Sequence, residues 1–252
     1  MRWTMARRVS KRPDVRRDEM MDAALRLCID VGYERLSIDQ VTQAVGVAKG
    51  TFYYHFPSRT ALLLALVDRW VDELFEGLEA RAPHLEGTGA ERFRQLMQLS
   101  AQWKLARVDS ALASIPLLYK PENLELRHRL FDSWTARMRH LFLPLVEMGH
   151  DDGSLAVDDP GATVDVVLAM MVDGSARLTD RAFAADTEDE YLQLLTTGLP
   201  ALMTATERVL GAAPDTFAIP GDFTETYRAM RGPFLAALGR DPADSPHPTQ
   251  ED

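Results

Sequence analysis

Residues 36–56 have the sequence LSIDQVTQAVGVAKGTFYYHF. Ser37, followed three positions later by Gln40, has the form of a capping box, so a helix should begin just after Ser37. Apolar residues then recur at helical spacing until Gly46, which can adopt the left-handed conformation that ends a helix. A second short helix is expected from about 48 to 55. Two short helices joined by such a turn predict a helix-turn-helix, whose second helix is shaped to enter the DNA major groove.

The same residues resemble a known family. The run GVAKGTFYYHFPSRTALL, preceded by LSIDQVTQAVG, is similar to the DNA-binding domain of TetR/AcrR transcriptional regulators, and the resemblance extends from Arg17 to about Asp68. Three positions depart from the family pattern. Ala48 replaces the usual Ser or Thr cap of the recognition helix, Thr42 stands where Ala is commoner, and Arg59 stands where Lys is usual. The resemblance implies an all-α protein with an N-terminal three-helix DNA-binding domain and a C-terminal helical bundle for ligand binding and dimerisation.

The second helix carries side chains suited to DNA. A lysine offers a cation to a guanine edge or a phosphate, a threonine offers a methyl group or a hydroxyl, and a glycine lets the helix lie close to the duplex. The resemblance implies that a tyrosine hydroxyl and the histidine also face the DNA. Phe52 and Phe56 are assigned to the core, and an ordinary helix-end histidine remains the alternative for His55. The predicted DNA-binding residues are Arg17, Ser37, Lys49, Gly50, Thr51, Tyr53, Tyr54, His55 and Arg59.

Charge is divided unevenly along the chain, whose net charge is −10. Residues 1–60 hold 11 lysines and arginines against 7 acids, whereas the remaining residues hold 17 against 31. A basic N-terminal region followed by an acidic remainder is typical of a DNA-binding protein with a separate effector domain. Residues 1–16 are predicted to form a basic flexible arm that contacts phosphates or a minor groove, with a merely solvated tail as the alternative.

Helical periodicity continues beyond the helix-turn-helix, and strand patterns are absent. A helix of about six turns after Pro57 is expected to act as the lever between the two domains. The predicted domains are the arm 1–16, a DNA-binding domain 17–60, an effector-binding and dimerisation domain 61–240, and a disordered tail 241–252. The further helices are expected at about 14–30, 90–108, 110–118, 121–148, 160–184, 189–210 and 222–238.

The helices between residues 90 and 210 carry more large apolar side chains than one protomer requires. Soft, adaptable side chains of this kind favour a pocket for a small, mostly apolar effector, although ordinary core packing is the alternative for each residue. Asp173 can instead form a partly buried salt bridge with Arg177. The candidate ligand-binding residues are Met97, Trp103, Phe131, Trp134, Met138, Met170 and Asp173.

The helices at 160–184 and 189–210 are predicted to pack against their twofold mates as a four-helix interface in a homodimer. A buried role within one chain remains open for each residue of this seam. The candidates are Leu168, Met171, Leu178, Leu192, Leu195, Leu199, Leu202 and Val209.

Several classes of site are not expected. Cys28 is the only cysteine, which excludes an intrachain disulfide and a four-cysteine zinc site, and it is expected to be an inert core thiol. No histidine pair has metal-binding helical spacing and no nucleotide-binding loop or catalytic motif is recognisable, so no cofactor, metal or enzymatic activity is predicted. No apolar run is long enough for a membrane span, and a cytoplasmic location is the expectation.

These observations favour a homodimeric DNA-binding regulator, expected to be a repressor, that binds a palindromic operator in double-stranded DNA and is released by a small-molecule ligand. Two alternatives stay open at this point. One is a ligand-independent regulator that docks a protein partner through its acidic domain. The other is a helical enzyme or scaffold whose helix-turn-helix is vestigial.

Overall fold

The structure is a computed structural model that describes residues 13–31, 35–107, 124–219 and 221–237. Over these ranges the regular structure is entirely helical, which confirms the all-α prediction. The predicted helices that fall within these ranges are present, and their ends differ from the expected ones by a few residues. The described helices are α1 (Pro13–Val31), α2 (Ile38–Val45), α3 (Lys49–His55), α4 (Arg59–Arg81), α5 (Gly89–Leu105), α6 (Leu124–Asp151), α7 (Pro160–Ala184), α8 (Glu188–Leu210) and α9 (Thr224–Ala237).

Three sequence predictions fall wholly or mostly outside the described residues. These are the basic arm, except for residues 13–16, which lie in α1, the helix at 110–118, and the tail at 241–252. Within the described ranges, no helix combines the length and the apolar character needed to cross a membrane.

The chain divides into two compact units, Met1–Arg69 and Trp70–Asp252. The division falls inside α4, so this one helix contributes residues to both units. The boundary expected from the sequence lies earlier, at residue 60. The difference arises because the first turns of α4 carry Leu62 and Leu63, which are buried and belong to the first unit.

Local signals explain the helix-turn-helix of the first unit. The Ser37 hydroxyl accepts a hydrogen bond from the Gln40 amide at 3.2 Å, and the Gln40 side chain accepts one from the Ser37 amide at 2.8 Å, which confirms the capping box. Gly46 ends α2 with φ +69°, a conformation that costs glycine little. At the other end of the unit, Arg69 donates to Asp22 at 2.8 Å and so ties α4 to α1.

The core of the second unit forms where α5 and α6 approach closely. A Cβ added at Gly89 would lie 2.1 Å from the Gly149 amide nitrogen, so the two backbones meet where neither has a side chain. The adjoining turn supports this contact, because the Asp152 carboxylate accepts a hydrogen bond from the Gly89 amide at 2.8 Å. Farther into the core, the rings of Phe93 and Phe142 lie 4.4 Å apart.

Helices α7 and α8 form a second close pair in this unit. Asp159 caps α7, because its side chain accepts a hydrogen bond from the Ala162 amide at 3.0 Å, and Pro160 occupies the first helical position. The pair packs through glycine. A Cβ at Gly198 would lie 2.6 Å from the Leu178 side chain. Helix α9 packs beside them, and the ring of Phe234 stacks on Phe183 at 3.7 Å.

Candidate functional site

Helix α3 is held by two aromatic side chains. Phe52 is fully buried and Phe56 is almost fully buried, and their rings lie 5.7 Å apart. The Arg17 guanidinium stacks over the Phe56 ring at 5.3 Å, which connects α1 to the end of α3. The assignment of both phenylalanines to the core is therefore confirmed. With these two residues turned inward, the orientation of the short helix within the first unit is set.

Other positions of α3 are open to solvent. Tyr54 is 77% exposed and Tyr53 is 53% exposed, both unusual for tyrosine side chains in a folded unit. The Lys49 side chain is 60% exposed. A Cβ at Gly50 would meet no atom within 4 Å, so the backbone at this position is also accessible. The groups exposed to solvent are therefore two tyrosine side chains, one lysine side chain and the backbone at Gly50.

Two of the predicted residues lie at the margin of this face. Thr51 and His55 are half-buried. The His55 ring makes an edge-on contact with Tyr54, with ring centroids 5.0 Å apart. Both side chains therefore keep part of their surface accessible to solvent.

An acid that the sequence analysis did not single out lies on this face. The Asp39 carboxylate, on the first turn of α2, is 2.7 Å from the Lys49 ammonium. This hydrogen bond and the neighbouring negative charge raise the pKa of Lys49. The pair is exposed to solvent, so it neutralises charge on the face without being buried. The sequence signal is weak, since an acid in the first turn of a helix is usually explained by the helix dipole.

Three predicted DNA-binding residues have partners inside the first unit. Arg59 donates a hydrogen bond to the Leu36 carbonyl at 2.9 Å and so links the start of α4 to the segment before α2. Ser37 belongs to the capping box, and Arg17 lies over Phe56. Ala48 precedes α3 without a side-chain hydrogen bond, as expected from its departure from the family pattern. Each partner gives the residue a structural role, and contact with DNA stays a prediction for all three.

The candidate ligand-binding residues do not form a single group. Met97, Trp103 and Trp134 are half-buried and pack against the main core of the second unit, and Met138 is buried within that core. Phe131 and Met170 are half-buried. Asp173 forms an exposed ion pair with Arg177 at 2.7 Å. The salt-bridge alternative for this pair therefore holds, although the pair lies in solvent and is not partly buried.

The candidate dimer residues fall into two groups. Leu168, Leu192 and Leu195 are buried within the chain itself. The others are half-buried, and two of them cover glycines of the neighbouring helix: Leu178 lies against Gly198, and Leu202 lies against Gly174. An apolar residue not predicted from the sequence, Val166, is 55% exposed on α7. The remaining candidates, which are half-buried, are Met171, Leu199 and Val209.

Within the described ranges, no three histidine, cysteine or acidic side chains come close enough to hold a metal ion. Cys28 is buried in α1, and burial raises the pKa of its thiol to about 11.

Comparison with known proteins agrees with this geometry. The family model of bacterial regulatory proteins of the tetR family matches residues 20–66, which include α2, α3 and the start of α4. This part of the chain is therefore similar to the bacterial regulatory proteins of the tetR family.

Individual TetR-family relatives match different lengths of the chain. The HTH-type transcriptional activator FasR of Mycolicibacterium smegmatis is 34% identical over 87 residues, which is 30% of this chain and 40% of that protein. The chain thus spans less than half the length of this relative. The HTH-type transcriptional repressor KstR2 of Rhodococcus jostii is 23% identical over 158 residues, which is 61% of this chain and 72% of that protein.

A solved structure extends the likeness in fold. The SmeT–triclosan complex has a TM-score of 0.55 and 17% sequence identity, and the match covers 82% of this chain and 96% of that one. At this identity the match shows the fold alone. Both relatives are named as transcriptional regulators, and neither is named as an enzyme.

Proposed function

We propose that the protein is a repressor that binds a palindromic operator as a homodimer through α3 and is released by a small, mostly apolar ligand. The observation that carries the proposal is the exposure of Lys49, Gly50 and Tyr54 on a helix that Phe52 and Phe56 anchor in the core of the first unit. Cations and hydroxyls on such a helix contact phosphates and base edges in the major groove.

We infer that the protein represses transcription and does not activate it. The relatives are named as an activator in one case and a repressor in the other. The repressor matches the larger share of this chain, including part of the second unit. Measuring reporter transcription from a selected operator would distinguish repression from activation, since a repressor lowers transcription until the ligand is added.

Ligand control would act through α4. This helix continues from the first unit into the second, so a ligand that contacts its second half contacts a helix that also belongs to the DNA-binding unit. In a dimer the two recognition helices must lie about one DNA turn apart, roughly 34–36 Å. A ligand that binds more tightly to protomers spaced differently would lower operator affinity by shifting the population.

DNA binding can be tested by selecting duplexes from a random pool and titrating them by fluorescence anisotropy over a range of salt concentrations. We expect Lys49→Ala to weaken binding and to reduce the slope of log affinity against log salt by about 1. Arg81→Ala is the matched control, because it removes an exposed cation at the far end of α4 and should leave both quantities unchanged.

Gly50→Ala separates DNA contact from folding. No neighbouring atom meets the added methyl group, so the fold should be kept and α3 should gain up to ~1 kcal/mol of helix propensity. Operator affinity should nevertheless fall, because the methyl group holds the helix away from the duplex. Salt-insensitive binding, or no duplex binding under any condition, would overturn the proposed function.

The homodimer is tested by sedimentation equilibrium. We include Val166 in the proposed dimer interface, because a second copy of the chain that covered this valine on α7 would explain its exposure. Val166→Glu should weaken self-association. Val15→Glu is the matched control, since Val15 is also exposed but lies on α1 in the first unit. Equal behaviour of the two variants would remove Val166 from the interface.

A further inference from the structure

The second unit contains a smaller core besides its main one. This smaller core forms where the end of α7, the start of α8 and the helix α9 pack together. The Phe183 ring stacks on the Phe234 ring and lies 5.3 Å from the Tyr191 ring, measured between centroids. The Tyr191 hydroxyl donates a hydrogen bond to the Tyr227 carbonyl at 2.9 Å. We call these four residues the aromatic junction.

A charged side chain is buried beside the aromatic junction. Arg231 of α9 is 9% exposed, and its guanidinium carbon lies 5.8 Å from the centroid of the Tyr191 ring. Arginine is almost never buried to this extent without a partner, because the charge loses its hydration and an anion has to compensate for the loss. The burial of Arg231 therefore calls for a compensating group.

The surrounding residues give this guanidinium little compensation. Among the residues that the structure describes, Arg231 has no carboxylate within ion-pair distance, and it donates one hydrogen bond, to the Ala185 carbonyl at 3.5 Å, which is long for such a bond. This carbonyl belongs to the residue that ends α7, and a helix end carries only about half a negative charge. Most of the guanidinium N–H groups are left without an acceptor.

The other arginine on this part of α9 is satisfied differently. Arg228 donates to the Glu188 carboxylate at 2.8 Å and also forms an ion pair with Glu225. The acids in the first turns of α8 and α9 are all exposed. The nearby carboxylates of the described chain thus lie at the surface, and none of them lies within ion-pair distance of Arg231.

Solvent reaches the unpaired part of the Arg231 guanidinium. Over residues 13–31, 35–107, 124–219 and 221–237, the Trp70 indole nitrogen is the one fully enclosed side-chain nitrogen or oxygen that lacks a partner. The guanidinium nitrogens of Arg231 that lack an acceptor are therefore not enclosed. A cation that is mostly covered but still meets solvent is recessed, so only a small group can approach it.

We propose that Arg231 binds a small monocarboxylate at the aromatic junction. Carboxylate oxygens match the planar guanidinium and can accept two parallel hydrogen bonds from it. One negative charge balances the one buried positive charge, whereas the exposed acids nearby disfavour a doubly charged anion. The inference goes beyond the proposed function, because this site lies among α7, α8 and α9 and requires neither the operator nor the effector.

The test uses acetate and acetamide, which have nearly the same shape and differ in charge. Sodium acetate replaces sodium chloride at constant ionic strength, and binding to the full-length protein is followed by thermal shift and by isothermal titration calorimetry. Acetate should raise the melting temperature in a saturable way and should bind at least about 10-fold more tightly than acetamide, as expected for a hydrogen-bonded charge. Phosphate should bind more weakly than acetate.

Two variants assign the interaction to the guanidinium. Arg231→Met removes the charge and should abolish the effect of acetate, while the acetate-free variant should be at least as stable as the parent protein because an uncompensated buried charge is gone. Arg231→Lys keeps the charge without the planar fork and should weaken acetate binding several-fold. Arg228→Met, which removes an exposed cation from the same helix, is the matched control and should keep the full effect of acetate.

Equal binding of acetate and acetamide, or an undiminished effect of acetate in Arg231→Met, would overturn the inference. An acetate effect that appears only in a chain carrying both Asp241→Asn and Asp244→Asn would also overturn it, because carboxylates of the chain itself would then occupy Arg231. Operator binding measured on the same samples is a separate readout. Loss of the carboxylate site leaves the proposed function standing, and failure of operator binding leaves the carboxylate site standing.

Discussion

At the level of single residues, the ion pair between Asp39 and Lys49 limits the charge that α3 offers to DNA. The Asp39 carboxylate lies 2.7 Å from the ammonium and repels phosphate. We predict that Asp39→Asn raises duplex affinity several-fold at low salt, with a smaller gain as salt increases. Anisotropy titrations at several salt concentrations measure the effect.

The control for this prediction is a double-mutant cycle with Lys49→Met. If Asp39 acts by occupying Lys49, Asp39→Asn should gain much less in the Lys49→Met background. An equal gain in both backgrounds would mean that Asp39 acts only through the overall charge of the face.

A second residue-level prediction concerns the single thiol. Burial raises the pKa of Cys28 from 9.0 to about 11, so at pH 8 its thiolate fraction is about 100-fold below that of an exposed cysteine. A thiol-reactive dye at pH 8 should therefore label the folded protein at least about 100-fold more slowly than the protein in urea. Rapid labelling of the folded protein would contradict a closed core around α1.

The same shift has a consequence for stability against pH. Because the folded pKa is raised, the unfolded chain ionises this thiol first, and the contribution of Cys28 to stability is lost as pH rises from about 9 through 11. Cys28→Ala should remove this part of the pH dependence in urea unfolding experiments. An unchanged slope between pH 9 and 11 in the variant would assign the effect to other groups.

At the level of helices, capping differs between α3 and its neighbours. Both α2 and α5 begin with complete capping boxes, whereas α3 begins after Ala48 with no side-chain acceptor. We predict that Ala48→Ser stabilises the first unit by about 1 kcal/mol in urea unfolding. Ala44→Ser, the same substitution at an exposed position inside α2, should instead be neutral or slightly destabilising. Equal effects of the two variants would contradict a capping role.

The close approach of α5 and α6 gives a second prediction at this level. Gly89→Ala would place a methyl carbon 2.1 Å from the Gly149 nitrogen, and the two backbones would have to separate. We expect a loss of ~1–3 kcal/mol, measured by thermal and urea unfolding. Gly232→Ala in α9 meets nothing within 4 Å and should stabilise slightly, so it controls for the substitution itself. An undisturbed Gly89→Ala variant would show that this packing is loose.

At the level of the whole chain, we propose DNA binding for the first unit and ligand binding for the second. The N-terminal residues carry the excess of basic groups, while the remainder is acidic and supplies the larger core. Helix α4 belongs to both units, with Leu62 in the first and Trp70 in the second. Because one continuous helix contributes residues to both units, it is the element we propose for coupling a ligand held by the second unit to α3.

Much of this organisation was predictable from sequence patterns. The capping box at Ser37 and the helix end at Gly46 depend on neighbours three or four positions away, so spacing alone identifies them. Helical periodicity predicted the all-α fold for the same reason. The core roles of Phe52 and Phe56 were also predicted from the sequence.

Other features required the tertiary structure. Turns and helix packing bring together groups that are distant in the sequence. Asp39 pairs with Lys49, and Arg59 donates a hydrogen bond to the Leu36 carbonyl. The same packing buries the indole N–H of Trp70 without a hydrogen-bond acceptor. Leu178, a predicted interface residue, lies over Gly198 of its own chain, and its place in an interface stays a prediction. Helical periodicity identifies which face of a helix is apolar, but the partner of that face depends on distances between segments, and these exist only once the chain has packed.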